Sequence, residues 1–132
     1  MNSQEIFDTV AKHLFTQGHQ SKRAGRTTCA YRGEGSDMCA IGCMIPENMY
    51  DHKMEGKSVA SIMMNYPEVG LLFANASLTM LKDLQTLHDN NYNWPKSYRY
   101  SNFTGKEQLG HSLREIALEY DLDTNVLTAL GK

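Results

Sequence analysis

Apolar residues recur three and four positions apart in several separate stretches of this chain, and this spacing places them along one side of an α-helix. The clearest stretch is 3–17, with apolar positions at Ile6, Phe7, Val10, Ala11, Leu14 and Phe15. Asn2 or Ser3 can cap its start with a short side-chain oxygen. Gly18 can end it, because glycine tolerates the left-handed conformation. The pattern predicts a helix whose apolar side the rest of the chain must cover.

Two further helices are predicted in the middle of the chain. Ser58 can cap a helix that stops before Pro67, because the residue before a proline is pushed out of the helical region. Asn75 or Ser77 can cap a stronger helix that ends near residues 89–91. Its apolar positions are Leu78, Met80, Leu81, Leu84 and Leu87. Residues 90–103 then form a long polar and aromatic loop.

Two more helices are predicted towards the C-terminus. Thr104 and Glu107 form a capping box, in which each side chain accepts from the other residue's backbone N–H. The helix that follows has apolar positions at Leu109, Leu113, Ile116, Ala117 and Tyr120. Asp123 can cap a last short helix. The 132 residues fit a single domain, 1–132, with one core.

The cysteine-bearing segment between the first two helices has no helical spacing. Two short apolar runs, 28–32 and 38–45, flank the glycine-rich stretch 33–37, which predicts a β-hairpin. The second run does not alternate cleanly, so a buried helical turn stays open there. Pro46 begins a single helical turn through Tyr50. The expected fold class is therefore α+β, mainly α-helical, with four to five helices and one short β-hairpin.

Charge and cysteine content argue against several classes of protein. The formal net charge of −2 provides no global field towards nucleic acid or an anionic membrane. No apolar run approaches the roughly 20 residues that span a bilayer, and the first residues lack a secretory signal. Three cysteines cannot all pair within one chain, unlike those of a secreted disulfide scaffold. We expect a cytoplasmic protein with reduced thiols and no membrane association.

The cysteines raise two chemical hypotheses. Four side chains could together ligate structural zinc: Cys29, Cys39, Cys43 and His52. Cys29 or Cys39 could also act as a nucleophile with His88 and Asp89, although no cysteine-enzyme signature surrounds them. Burial as small apolar side chains is the favoured interpretation. No metal, cofactor or catalytic residue is therefore assigned, and a small Cys/His enzyme or a zinc protein stays an alternative.

Two acid-free stretches, 9–33 and 90–106, concentrate positive charge and aromatic rings. Basic groups attract phosphates while aromatic faces stack on bases, so nucleic-acid or nucleotide binding is a second alternative. Tyrosine, tryptophan and arginine also dominate the energetics of protein interfaces. The candidate binding residues in the second stretch are Trp94, Tyr98, Arg99 and Tyr100.

Several motifs are spread over most of the chain. They are Cys29-Ala30-Tyr31-Arg32, the segment 39–46 (CAIGCMIP), Tyr50 with Met54-Glu55-Gly56, the segment 84–89 (LQTLHD), and Ile116-Ala117. Together they resemble a widespread family of small uncharacterised proteins in bacterial and bacteriophage genomes. In that family a tryptophan after the histidine–aspartate pair leads directly into the last long helix, whereas here residues 95–104 form an insertion. The resemblance implies no activity.

If the motifs share a site, its candidate residues are Tyr31, Arg32, Glu55, His88 and Asp89. Arg32 could pair with Glu55 or Asp89 as a structural strut, the favoured interpretation, or hold a phosphate or carboxylate bidentately. The absence of catalytic motifs and the phage association together predict a non-catalytic accessory protein. It would bind a host or defence macromolecule or a small signalling ligand in the host cytoplasm.

Overall fold

The computed structural model describes residues 1–94 and 105–132. The α-helices in these residues are α1 (Ser3–Gln17), α2 (Val59–Asn65), α3 (Pro67–Leu72), α4 (Leu78–Asp89), α5 (Gly105–Glu119) and α6 (Asn125–Ala129). Single turns of 3-10 helix lie at Gly42–Met44, His52–Met54 and Asn91–Asn93. The expectation of a mainly helical chain is confirmed.

Local side-chain caps set the ends of α1. The Asn2 side chain accepts from the backbone N–H of Glu5, and the Glu5 carboxylate accepts from the backbone N–H of Asn2. Gly18 ends the helix with φ of 77°, a conformation that glycine adopts without a steric penalty. Both ends of α1 therefore follow from residues within or next to the helix.

The other predicted caps have mixed outcomes. Ser58 and Ser77 cap α2 and α4 as expected. At α6 the Asp123 carboxylate accepts from the backbone N–H of Asn125. The predicted capping box at α5 requires Thr104, which lies outside the described residues.

Helix α3 is not among the predicted helices. It begins at Pro67, directly after α2 ends at Asn65. The fixed φ of proline suits the first position of a helix. The proline that stops α2 therefore also starts α3.

The core lies between α1, α4 and α5, and α2 and α6 pack against its sides. Its fully buried side chains include Ile6, Phe7, Leu14, Met80, Leu81, Leu84, Leu109 and Leu113. The cysteine-bearing segment adds Cys39, Ala40 and Ile41 to the same core. Among the described residues, no helix has both the length and the apolar character needed to cross a bilayer.

The predicted β-hairpin over residues 28–45 is wrong. The described part of the chain contains no strand, and this region makes only the isolated bridges Lys22–Cys29 and Arg32–Met38. Side chains take the donors that a strand ladder would use, because Glu55 accepts from the backbone of Tyr31 and Arg32. The second run instead forms the 3-10 turn Gly42–Met44, which is the alternative that the sequence left open.

Gly42 lets this turn approach the first run closely. A Cβ atom at this position would overlap the backbone carbonyl oxygen of Tyr31. Only glycine fits there without displacing the backbone. This close approach brings the 31–32 run against the 3-10 turn.

Candidate functional site

The C-terminal end of α4 is covered by the loop of residues 20–30. His88 is fully buried there, and its Nε2 accepts the backbone N–H of Ser21 at 3.0 Å. Its Nδ1 lies 2.8 Å from Oδ1 of Asp89. A ring nitrogen that accepts an N–H must carry a lone pair, so the proton of the neutral ring sits on Nδ1 and is donated to Asp89.

Trp94 is part of the same buried structure. Its Nε1 donates to the carbonyl oxygen of His88 at 2.7 Å, and its ring lies edge-on to the imidazole at 5.8 Å between centroids. The side chain is 6% exposed, so the expectation that Trp94 lies on an exposed binding surface is not met. Tyr98, Arg99 and Tyr100 lie outside the described residues.

Cys29 lies next to the His88–Asp89 pair, with ligand atoms of the three residues within 4.8 Å of one another. Burial, and then the negative charge and hydrogen bonding of Asp89, raise the pKa of the Cys29 thiol to about 12. The thiol is therefore protonated near neutral pH and is a poor nucleophile. His88 Nε2 is occupied by Ser21 and is not free to act as a base. The arrangement does not support the alternative hypothesis of a cysteine nucleophile.

The same three residues do not fit a metal ion in this arrangement. Coordination through His88 Nδ1 would move the imidazole proton to Nε2. That N–H would then face the backbone N–H of Ser21 in a fully buried position. Two opposed donors leave both groups without an acceptor, at a cost of about 1–3 kcal/mol each. The imidazole is a structural hydrogen-bonding group.

The four side chains of the zinc hypothesis do not converge. Within residues 1–94 and 105–132, the one group of three potential metal-ligating side chains that lie close together is Cys29, His88 and Asp89. Cys39 is fully buried and accepts from the backbone N–H of Gly42, whereas Cys43 donates to the carbonyl oxygen of Ala40. Burial raises the pKa of both thiols to about 12. Cys39 is therefore a buried thiol and Cys43 a half-buried one.

Glu55 forms a second polar cluster. Its Oε1 accepts from the backbone N–H of Tyr31 at 2.9 Å. Its Oε2 accepts from the backbone N–H of Arg32 at 3.1 Å and from the hydroxyl of Tyr50 at 2.6 Å. Hydrogen bonds to a carboxylate are stronger than neutral ones. Glu55 therefore fastens the segment before α2 to the 31–32 run.

Arg32 is a strut, but with partners other than the predicted ones. Its guanidinium donates to the carbonyl oxygens of Gly42 at 2.9 Å and Ile45 at 2.6 Å. It also lies over the Tyr50 ring, 5.0 Å from the centroid. It forms no ion pair with either of the carboxylates, at residues 55 and 89, expected to bind it. Its Nη1 and Nη2 groups are used inside the fold, and Nη2 also lies 3.7 Å from the exposed Glu47 carboxylate, while Nε is buried without a hydrogen-bond partner among the described residues. The Arg32 side chain is only 15% exposed, which argues against the alternative role of holding an anion.

An open cleft of about 400 Å³ lies between the 29–31 run, residues 56–59 and α4. Cys29 and Asp89 line it, together with Lys57, Lys82 and Gln85. Gln85 is held in place because its Oε1 accepts from the backbone of Ile41 and its Nε2 donates to Asp89. Of the predicted site residues, the structure brings Tyr31 and Asp89 to this cleft, with His88 behind them.

The two lysines and Gln85 were not predicted as site residues. A lysine on a helix is normally part of a solvated face, so its residue type alone carries little signal. One signal was present for Lys82: the positions three and four away on α4 are Leu78, Thr79, Gln85 and Thr86. None of these side chains is acidic. The sequence therefore indicates that the positive charge of Lys82 is not paired along the helix.

Some of the basic side chains in the first acid-free stretch, 9–33, are used within the fold and are not available to a partner. Arg32 is used inside the fold, and Arg23 donates to Tyr50 and Glu55. Lys12, Lys22 and Arg26 remain from the five basic residues of 9–33. The described residues therefore support the nucleic-acid alternative less than the sequence did.

Comparison with known proteins adds no functional assignment. The resemblance to small bacterial and phage proteins stays a prediction. No protein-family model, curated protein or solved structure matches this chain.

Proposed function

We propose that this protein is a non-catalytic binding protein that holds a small polar ligand in the cleft beside Cys29 and Asp89. The observation that carries the proposal is an open cleft whose exposed Asp89 carboxylate is held by hydrogen bonds from Gln85 and from the buried His88. Its volume of about 400 Å³ falls in the range of about 300–1,000 Å³ that small-molecule sites occupy.

Binding without catalysis is supported by the state of the groups nearest the cleft. The thiol of Cys29 is protonated near neutral pH because burial raises its pKa to about 12. The lone pair of His88 is engaged by Ser21. Cys29 is therefore not an activated nucleophile, and His88 is not a free base that could activate it. The resemblance to phage proteins adds support for an accessory role in which the ligand is a small signalling molecule.

A fragment screen by NMR of the ¹⁵N-labelled protein tests the proposal. We expect fragments to shift resonances of residues 29–31, 56–59 and 82–89 together. Thr86 lines the cleft and is exposed, so Thr86→Trp should block these fragments. Thr16→Trp, on the exposed side of α1, is the matched control and should leave binding unchanged. Fragments that bind elsewhere, or that bind both variants equally, would overturn the proposal.

A further inference from the structure

We infer that the ligand of this cleft carries a phosphate group, held by Lys57 and Lys82. The inference rests on the proposed function and names the chemical class of its ligand. Both lysines line the cleft and are exposed. They reach it from different walls, one from the segment before α2 and the other from α4.

Lys82 joins no ion pair with any residue in the described part of the chain. Asp83, its neighbour in sequence, accepts instead from the hydroxyl of Tyr120 at 2.5 Å. The charge of Lys82 is therefore available to a ligand.

The charge of Lys57 is likewise available to a ligand. Glu55 lies two residues earlier, but its carboxylate accepts from two backbone N–H groups and the Tyr50 hydroxyl. Within residues 1–94 and 105–132, Lys57 joins no ion pair, while its carbonyl oxygen accepts from Tyr31 at 2.7 Å. That hydrogen bond fixes the backbone that presents the lysine at the cleft.

Asp89 confines an anion to one part of the cleft. It follows Lys82 by seven residues on α4, which is two helical turns and about 10 Å along the axis. Its carboxylate is held by His88 and Gln85 and would repel a second negative charge. An anion therefore binds beside the lysines and away from Asp89.

Phosphate suits two lysines better than carboxylate does. A planar carboxylate is recognised best by the two parallel donors of an arginine, whereas the lysine ammonium acts as a point charge. A phosphate monoester carries up to two negative charges near neutral pH, which two ammonium groups balance. The one arginine of the 29–32 motif, Arg32, is used inside the fold.

Titration of the ¹⁵N-labelled protein with inorganic phosphate, AMP and adenosine tests this assignment. We expect phosphate and AMP to shift the resonances of residues 57 and 82, and AMP to bind at least about tenfold more tightly than adenosine, a difference of about 1.4 kcal/mol. Acetate at matched ionic strength should shift them less. An equal response to acetate, or no response to phosphate and AMP, would overturn the assignment.

Charge variants provide the matched control. Lys57→Gln with Lys82→Gln should weaken AMP binding at least about tenfold. Lys12→Gln with Arg26→Gln removes the same net charge from other exposed positions and should leave it unchanged. If neutral fragments occupy the cleft but phosphate and AMP do not, the phosphate inference fails and the proposed function stands. If neither binds, both fail.

Discussion

Ser21 donates its backbone N–H to Nε2 of His88 at 3.0 Å, across 67 residues of sequence. This hydrogen bond ties the loop of residues 20–30 to the end of α4. It also places the imidazole proton on Nδ1. His88 therefore donates to Asp89 and is not a free base for Cys29. The buried His88, held from the other side by the exposed Asp89, fastens this loop to the helix.

Replacing His88 should destabilise the protein strongly. His88→Ala leaves the buried N–H of Ser21 without an acceptor and opens a cavity, so we expect a loss of about 2–4 kcal/mol in the free energy of unfolding. Urea denaturation measures it. The control is His111→Ala, which removes an exposed contact of 2.9 Å with the Glu115 carboxylate and should cost less than about 0.5 kcal/mol. Equal losses in the two variants would contradict the structural role of His88.

The tautomer of His88 is directly measurable. Long-range ¹H–¹⁵N NMR should show the proton on Nδ1 and a lone pair on Nε2. Zinc titration should leave the resonances of Cys29 and His88 in place, because coordination through Nδ1 requires the opposite tautomer. Site-specific zinc binding with a shift of both residues would show that the loop rearranges to admit a metal.

Stability should fall in alkaline solution. Burial raises the pKa of Cys39 to about 12 in the folded protein, from an ordinary value of 9.0. Above pH 9 the unfolded chain therefore binds fewer protons than the folded one, and the free energy of unfolding decreases as pH rises towards 12. The slope is up to about 1.4 kcal/mol per pH unit for each fully buried thiol.

Denaturation in urea at pH 8, 9 and 10 checks this dependence. Cys43, whose pKa is also raised to about 12, acts in the same direction. Cys39→Ala serves as the comparison, because it lowers stability at every pH but should flatten the slope. An identical slope in the variant would contradict the assignment to Cys39.

Glu55 should be indispensable to the 31–32 run. Glu55→Gln keeps the size of the side chain but removes the charge that accepts from Tyr31, Arg32 and Tyr50. We expect a loss of about 2–3 kcal/mol in the free energy of unfolding, since hydrogen bonds to charged groups are the stronger kind. In contrast, Glu47→Gln removes an ion pair with Arg32 at a side chain that is 90% exposed, and it should be close to neutral because exposed ion pairs contribute little. A small loss at both positions would show that the Glu55 cluster contributes little.

The fluorescence of Trp94, the only tryptophan, should show that its ring is buried. We expect blue-shifted fluorescence that iodide quenches weakly, and a red shift on unfolding. Trp94→Phe removes the hydrogen bond to the His88 carbonyl and should cost about 1–2 kcal/mol. Strong quenching of the folded protein would place the ring in solvent and restore the idea of an exposed aromatic surface.

Most helices could be predicted because their determinants are local. The apolar stripe of α1, its cap at Asn2 and its end at Gly18 lie within a few turns of one another. The same holds for the serine caps of α2 and α4. Helix α3 is not predicted, because Pro67 indicates the end of α2 and the following residues give no separate helical pattern. Periodicity and capping act within one turn and are visible in any stretch of sequence.

Contacts between distant segments determined the structure of the 28–45 region, the partners of Arg32 and the burial of Trp94. The short apolar run at 28–32 before a glycine-rich stretch predicts a strand, yet Glu55, more than twenty residues later, takes backbone donors of that run. Arg32 bonds to backbone carbonyls, which have no signature in the sequence, and Trp94 turns inward to the carbonyl of His88. The sequence by itself determined where most of the described helices form. The pairing of buried donors and acceptors across distant segments determined the cleft, because each buried polar group must find a partner wherever the fold supplies one.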